Sequence, residues 1–363
     1  MFDLSLLPDA GLGWLDASGE QSDIVLSTRV RLARNVEGYA FTGRSREGER
    51  IRILSQVRDA VPTVPSLANG VLVRVDELDT DDRRILHERH VISRELAGLE
   101  SSSGARGGAA VYVGEGVGVM INEEDHLRLQ AVRSGFALEP ALAAILRLDE
   151  ELGRRVPYSY HREYGFLTAC PTNTGTGMRA SVLIHLPGLV LTKEIPKVLV
   201  GLQQMGLTYR GLYGEGSEVL GSFFQISNQT TLGRSEEELV DHLANVVRHV
   251  IQREQEARRV LWRDAGYIIE DKLWRAYGTL RFARSLTFDE AMSLLSGVRL
   301  AAGLQLVQGL SVYTLNKLLI FSQPAHLAAA EGGGGRELTE AETDIARARF
   351  VRQTLADEVG PIQ

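Results

Sequence analysis

The sequence predicts an α+β fold, a mainly antiparallel sheet flanked by helices and followed by an all-α C-terminal domain. Three observations carry that expectation. Residues 23–36, "DIVLSTRVRLARNV", alternate polar and apolar side chains as a strand does. Residues 108–130, "GAAVYVGEGVGVMINEEDHLRLQ", read as a strand, a turn through Gly114 to Gly118 and a returning strand. That is a hairpin, which favours antiparallel pairing over a doubly wound parallel sheet. From "SEEELVDHLANVVRHVIQREQEARRVLWRD" onward the pattern turns helical.

The elements follow in order. After the first strand, "SREGERIRILSQVRDAV" places its apolar residues at helical spacing behind Ser45, an expected cap. "GVLVRVDEL" is a short strand, and "DTDDRRILHERHVI" is a helix entered through capping acids. The hairpin comes next, then an amphipathic helix in "EPALAAILRLDEELGRR". Short strands are expected near Gly165–Thr168, Val182–His185, Thr208–Tyr213 and Ser222–Ser227. Beyond the long helical stretch, further helices fit Lys272–Ala283, Thr287–Leu300, Gly309–Phe321 and Glu337–Ala356, with "EGGGGRE" a flexible joint before the last. The expected division is a mixed α/β domain at 1–257 and a helical domain at 258–363.

A chain of 363 residues can bury a large core and fits two domains. Its net charge of −7 argues against broad binding to nucleic acid or anionic membrane. No apolar run is long enough to span a bilayer, the acidic start lacks the basic region of a secretory signal, and one cysteine, Cys170, suits a reducing compartment. The expected location is cytoplasmic. All but four of the 40 basic residues are arginine, so an arginine counts only within a constellation.

Three stretches offer one. In "STRVR", alternation puts Ser27, Arg29 and Arg31 on one strand face and Val30 and Leu32 on the other. Two like charges on one face repel unless an anion lies between them, and the arginine fork suits phosphate. In "INEEDHLRLQ", read as a strand, Asn122, Glu124, His126 and Arg128 share a side, while Glu123 and Asp125 fall among Ile121, Leu127 and Leu129. Read as a helix, Glu124 and Arg128 still meet at i,i+4. "CPTNTGTGMRASVLIHLPGL" brings Cys170 and Arg179 together through Gly175 and Gly177, and "YRGLYGEGSE" adds Arg210 and Glu215 in a glycine-rich loop. No P-loop or protein-kinase signature is present, and no His or acidic spacing marks a metal site. Arginines, two carboxylates and glycine loops suit phosphoryl transfer.

Taken in order, "STRVR", "NEEDHLR" and "CPTNTGT" resemble the markers of the phosphagen (guanidino) kinase family. The likeness runs strongly from about Asp23 to Gln255. "RLARN", "RASVLIHLPGL", "RGLYGEGSEVLG" and "FQISNQTTLG" are similar to its bacterial protein-arginine-kinase branch. The resemblance implies a phosphagen-kinase-like catalytic domain, ATP as phosphoryl donor and Mg²⁺ bound through the nucleotide. It implies nucleotide contacts at Ser27, Thr28, Arg29, Val30, Arg31, His90, Arg128, Arg179, Ala180, Ser181, Val182, Leu183, Arg210, Gly211, Leu212, Tyr213 and Gly214. Glu124 and Glu215 correspond to the carboxylates that align the guanidinium, and Cys170 to a reactive cysteine beside the substrate. In the tail, "TDIARA" keeps Asp344, Arg347 and Ala348 of a phosphoarginine-binding motif, with Thr343 where its first arginine stands.

The small-molecule members carry a helical domain ahead of the Ser-x-Arg-x-Arg strand. Here that strand begins by Ser27, and the expected substrate is an arginine side chain on a protein. The branch further implies a homodimer, a chaperone–protease that receives the marked proteins, an activator protein and a stress-response repressor. Two other readings stay open: a kinase for free arginine or another small guanidine, and an inactive phosphoarginine-binding adaptor.

Overall fold

In a computed structural model, which describes residues 2–100, 104–211, 220–332 and 338–359, ten strands and ten α-helices follow one another in mixed order. They are β1 (Val25–Arg34), α1 (Glu47–Ala60), β2 (Val71–Arg74), α2 (Thr80–Glu88), β3 (Ala110–Val113), β4 (Val117–Ile121) and β5 (Leu127–Ser134). Then come α3 (Leu138–Gly153), β6 (Tyr160–His161), β7 (Gly165–Phe166), β8 (Met178–His185), α4 (Pro187–Leu191), α5 (Ile195–Gln204), β9 (Leu207–Gly211) and β10 (Phe223–Asn228). The helical remainder is α6 (Glu236–Phe282), α7 (Phe288–Gly303), α8 (Val312–Phe321), α9 (Pro324–Ala330) and α10 (Glu340–Val359).

Eight strands form one antiparallel sheet in the order β2-β3-β4-β5-β1-β8-β10-β9, so β1 lies in the interior of the sheet. Its alternation sets the architecture. Val30 and Leu32 point, with Ala180, Val182 and Ile226 of the neighbouring strands, into a core closed by Ile145 of α3 and Val247 of α6. Ser27, Arg29 and Arg31 point the other way. That second face is divided. At one end Leu183 and Phe223 pack beneath the helical unit, against a cluster that includes Leu273, Met292 and Leu295. The rest of it carries polar side chains.

Local chemistry fixes the element ends. Asp79 caps α2 by accepting from Asp82 N (2.8 Å), as the acid cluster suggests. Ser45 is not the cap of α1: Arg46 holds that position, and its N–H donates to Glu49 Oε2 (2.8 Å). Strand β8 begins at Met178, four residues before the expected start, because its pairing with β1 extends to Leu32↔Met178 and draws Arg179 out of the glycine loop. The long helix α6 passes through Arg258 and breaks at Ala265 (φ −142°, ψ 29°). Helices α4, α5 and α9 lack sequence expectations. Residues 333–337 of the glycine-rich joint lie outside the described residues.

Candidate active site

The charged stretch at 122–126 is a turn, not a strand. It joins β4 to β5, closed by Asn122 N donating to His126 O (2.8 Å) with Asn122 at φ +60°. Asparagine tolerates that conformation better than most residues, and its side-chain amide donates to Arg50 O (3.0 Å) and Gly108 O (2.8 Å). Asp125 accepts from Asn35 Nδ2 and Ala169 N, each at 2.6 Å. His126 Nδ1 accepts from Val36 N (3.0 Å), which leaves Nε2 to donate to Ala40 O (2.9 Å), and burial holds the ring's pKa below its ordinary value. Asn122, Asp125 and His126 thus build the turn.

What remains is Glu123 and Glu124. The expected meeting of Glu124 with Arg128 is found, across a turn rather than along a strand face, and Glu123 joins it. Buried Glu123 makes the close ion pair with Arg128, and Glu124 stands at 3.7 Å from the same guanidinium. Glu123 also accepts Glu124 N (3.0 Å), which steadies the second acid. Period-two alternation had placed Glu123 with the apolar face; a five-residue turn has no such period.

The turn opens on a cleft of about 630 Å³. Its floor is the polar sheet face, where register sets Arg31 directly opposite Arg179 and Arg29 opposite Ser181. Arg128 enters from β5 and Arg210 from β9, opposite Gln225. Burial, then the charges of Arg210 and Arg128, push the Arg29 guanidinium down to about 10. Arg31 is pushed well below its ordinary value by burial first and then by Arg128, Arg29, Arg179 and Arg210. So many like charges on neighbouring strands are costly unless a polyanion lies among them.

The opposite wall is acidic. Glu95 joins Glu123 and Glu124, with carboxylate oxygens of all three within 4.8 Å of one another. Glu95 also pairs with Arg106 (3.1 Å). Burial raises the pKa of Glu124 against the lowering pull of Arg128, and it raises Glu95 likewise, aided by Glu123. Cys170, half-buried, lines the cleft with its Sγ 3.0 Å from Thr172 Oγ1. A small recess beside the arginines is lined by Ser27, Ser181, Leu183, His90, Gln225 and Trp14.

Ser27, Arg29, Arg31, His90, Glu124, Arg128, Cys170, Arg179, Ser181, Leu183 and Arg210 are thus brought together around one cleft and its recess. Thr28, Val30, Ala180 and Val182 are not. Their side chains lie on the other face of the sheet, Val30, Ala180 and Val182 in the core and Thr28 Oγ1 donating to Gly135 O (2.7 Å). Gly211 is buried at the end of β9 opposite Phe224. Leu212, Tyr213, Gly214 and Glu215 lie outside the described residues. In the tail motif Arg347 is buried, donating to Ser322 O (2.9 Å), Leu286 O (2.8 Å) and Asp344 Oδ1 (2.6 Å), and Ala348 is core. Those bonds, from Nε and Nη1, tie α10 to the segments before α7 and α9. Sequence reasoning missed Glu95, Glu123, Gln225 and Trp14. Only Glu123, beside Glu124, carried a local signal.

A family profile described as ATP:guanido phosphotransferase, C-terminal catalytic domain, matches residues 52–257, and one described as Protein-arginine kinase McsB C-terminal domain matches 267–361. The chain is 42% identical to a protein-arginine kinase of Pelotomaculum thermopropionicum, over 95% of this chain and 96% of that one. It is 40% identical to a protein-arginine kinase of Bacillus subtilis, over 96% and 94%. Among solved structures it is similar to the duplicated, substrate-free taurocyamine kinase of Schistosoma mansoni (TM-score 0.55, 28% identity), matching over 70% of this chain and only 34% of that one. Lombricine kinase is similar with a TM-score of 0.57 and 25% identity, over 66% and 70%.

Proposed function

The chain belongs to the ATP:guanido phosphotransferase family, and we propose that its cleft transfers the γ-phosphoryl group of ATP to arginine side chains of proteins. The observation that carries this reading is the cleft's division of charge. Arg29, Arg31, Arg179 and Arg210 occupy one side, Glu95, Glu123 and Glu124 the other, and Arg128 joins the two through its pairs with Glu123 and Glu124. A triphosphate fits the first and a guanidinium the second.

The reaction needs that polarity. A guanidinium is protonated, with a pKa above ~12, and its lone pairs are delocalised, so it is a poor nucleophile. Glu124, ionised but with a raised pKa, holds it in plane and takes a proton as the N–P bond forms and the bond from the γ-phosphorus to the bridging oxygen breaks. ADP leaves. The arginines offset charge on the phosphoryl oxygens throughout. Ser27, His90, Ser181 and Leu183 serve the nucleotide at the recess, and Cys170 lies beside the substrate. Glu95, Glu123 and Glu124 offer only oxygen donors, and all three already face arginines; this fits a hard cation held through water better than a closed cage. Mg²⁺ arriving with the nucleotide would supply further neutralisation of the phosphates.

Residues 1–257 form the catalytic domain and 258–363 a helical domain that pairs two copies; exposed Trp262, Tyr267, Ile268, Trp274 and Phe282 on α6 support that pairing. The setting is cytoplasmic, and no helix among the described residues is long and apolar enough to cross a membrane. Phosphorylation marks proteins for a chaperone–protease in a stress response, with an activator and a repressor among the partners.

The test is incubation with Mg²⁺-ATP and either an unfolded arginine-bearing protein or free L-arginine, read as acid-labile phosphoarginine by mass spectrometry. Label on the protein and not on the amino acid is expected. Label on free arginine would assign a small-guanidine kinase, and ATP binding without label an adaptor.

A further inference from the structure

His90 enters the cleft from the turn after α2 at φ +58°, a left-handed conformation that is uncommon and strained for a non-glycine residue. Its buried Nε2 has no hydrogen-bond partner among the described residues. The hold on this residue comes from the helical unit. Glu88 and Arg89, the two residues before it, are both bound by one side chain, His326 of α9. Arg89 Nε donates to His326 Nε2 (3.1 Å), which leaves the proton on Nδ1, and Nδ1 donates to Glu88 Oε2 (2.7 Å). The imidazole in this arrangement is neutral, and its contact with Glu88 is a hydrogen bond rather than an ion pair.

The clasp is wider than one ring. Glu88 also accepts the backbone N–H groups of Ala325 (2.9 Å) and His326 (3.2 Å). The Arg89 guanidinium lies 5.4 Å from the ring centre of Phe321, whose ring meets His326 edge-on at 5.1 Å. Arg347 holds Ser322 O, fixing the segment that leads into α9. On its other flank His90 meets Trp14 at 5.6 Å, and Trp14 is buried with Ile320 of α8. Two helices of the helical unit therefore bear on one cleft residue.

We propose that His326, through Glu88 and Arg89, is a positioning residue for nucleotide binding: the helical unit sets the His90 ring in the cleft. This rests on the reading of His90 as a nucleotide contact. A side chain that only stabilised the fold would change the folded fraction; one that positions His90 changes the affinity for ATP in the folded enzyme.

The experiment is steady-state kinetics of the full chain carrying His326→Ala, with ATP and an unfolded protein substrate varied separately. The KM for ATP should rise roughly fivefold, with kcat at saturating ATP and the KM for protein little changed. His326→Asn should recover most of the loss, because its amide can donate to Glu88 as Nδ1 does. If His326→Ala lowers the melting temperature and kcat but leaves the KM for ATP unchanged, the proposal is overturned. Should that variant fail to fold, Glu88→Gln, which keeps shape and removes the carboxylate, is read by the same criterion. His90→Ala separates the two levels. An unchanged KM for ATP there removes the reading of His90 itself, whereas a raised one beside a normal His326→Ala removes only the clasp.

Discussion

Strand β1 carries arginines on both of its faces, and the two faces treat them in opposite ways. Arg34, 1% exposed on the core side, is satisfied: it donates to Asp149 (2.7 and 3.0 Å), Ala33 O (2.9 Å) and Thr176 O (2.8 Å), and lies 3.5 Å from the Phe166 ring centre. Arg29 and Arg31, on the cleft side, form no ion pair among the described residues, and their neighbours on adjacent strands include further arginines. The residue type and the strand are the same, and Arg34 lies only three and five positions from the other two. A buried arginine with its donors filled is structure; a group of them with lowered pKa values, facing one another, is a site for an anion.

The contrast can be broken at either face. Arg31→Ala should lower kcat/KM by about 10²–10³, the usual cost of one positioned charge. Its melting temperature should hold or rise, since a like charge is removed. A melting temperature that falls with activity would make Arg31 a structural residue and end the comparison. Arg34→Leu should do the reverse. Leaving Asp149 and two carbonyls without their partner costs about 3 kcal/mol, visible as a fall in denaturation midpoint, while the protein still folded at low temperature keeps its affinity for ATP.

The acid limb of the pH profile sharpens the same division at the carboxylate wall. Burial raises Glu124 above the ordinary 4.5, so transfer is fully present above that raised value and lost as pH falls through it. The stability contribution of Glu124 has the opposite sign: its ionised form is penalised by burial, and acid relieves the penalty. Rate should therefore fall with acid while protonation of Glu124 itself costs the fold nothing, and an acid limb at or below 4.5 in kcat/KM would remove burial as its tuning. Smallest is Cys170→Ser, which keeps a polar atom beside Thr172 and should change the rate by less than about tenfold.

Much of the molecule was legible because alternation is a physical statement about faces. Ser27, Arg29 and Arg31 could be assigned to one side of a strand from spacing alone, and the hairpin at 108–130 followed from its glycines. The same rule failed at 122–126, where the chain stops being a strand at Asn122 and side chains no longer alternate. The nucleotide set inferred by resemblance took in Thr28, Val30, Ala180 and Val182 as contiguous stretches, although a strand turns every second residue away. Glu95 and Trp14 reach the site from segments with no periodic signal, brought in by tertiary packing. The burial of Arg347, and its bonds to Ser322 O and Leu286 O, were not legible, because both partners are distant in sequence.

The most direct test sets the two ends of the cleft against each other: nucleotide affinity and phosphoarginine formation, measured on Glu124→Gln and Arg31→Ala side by side. Glu124→Gln should bind ATP as the parent protein does and transfer at least about a hundredfold more slowly, while Arg31→Ala loses affinity and transfer together. Transfer at the parent rate by Glu124→Gln would contradict the account, because the acidic wall would then have no part in the chemistry.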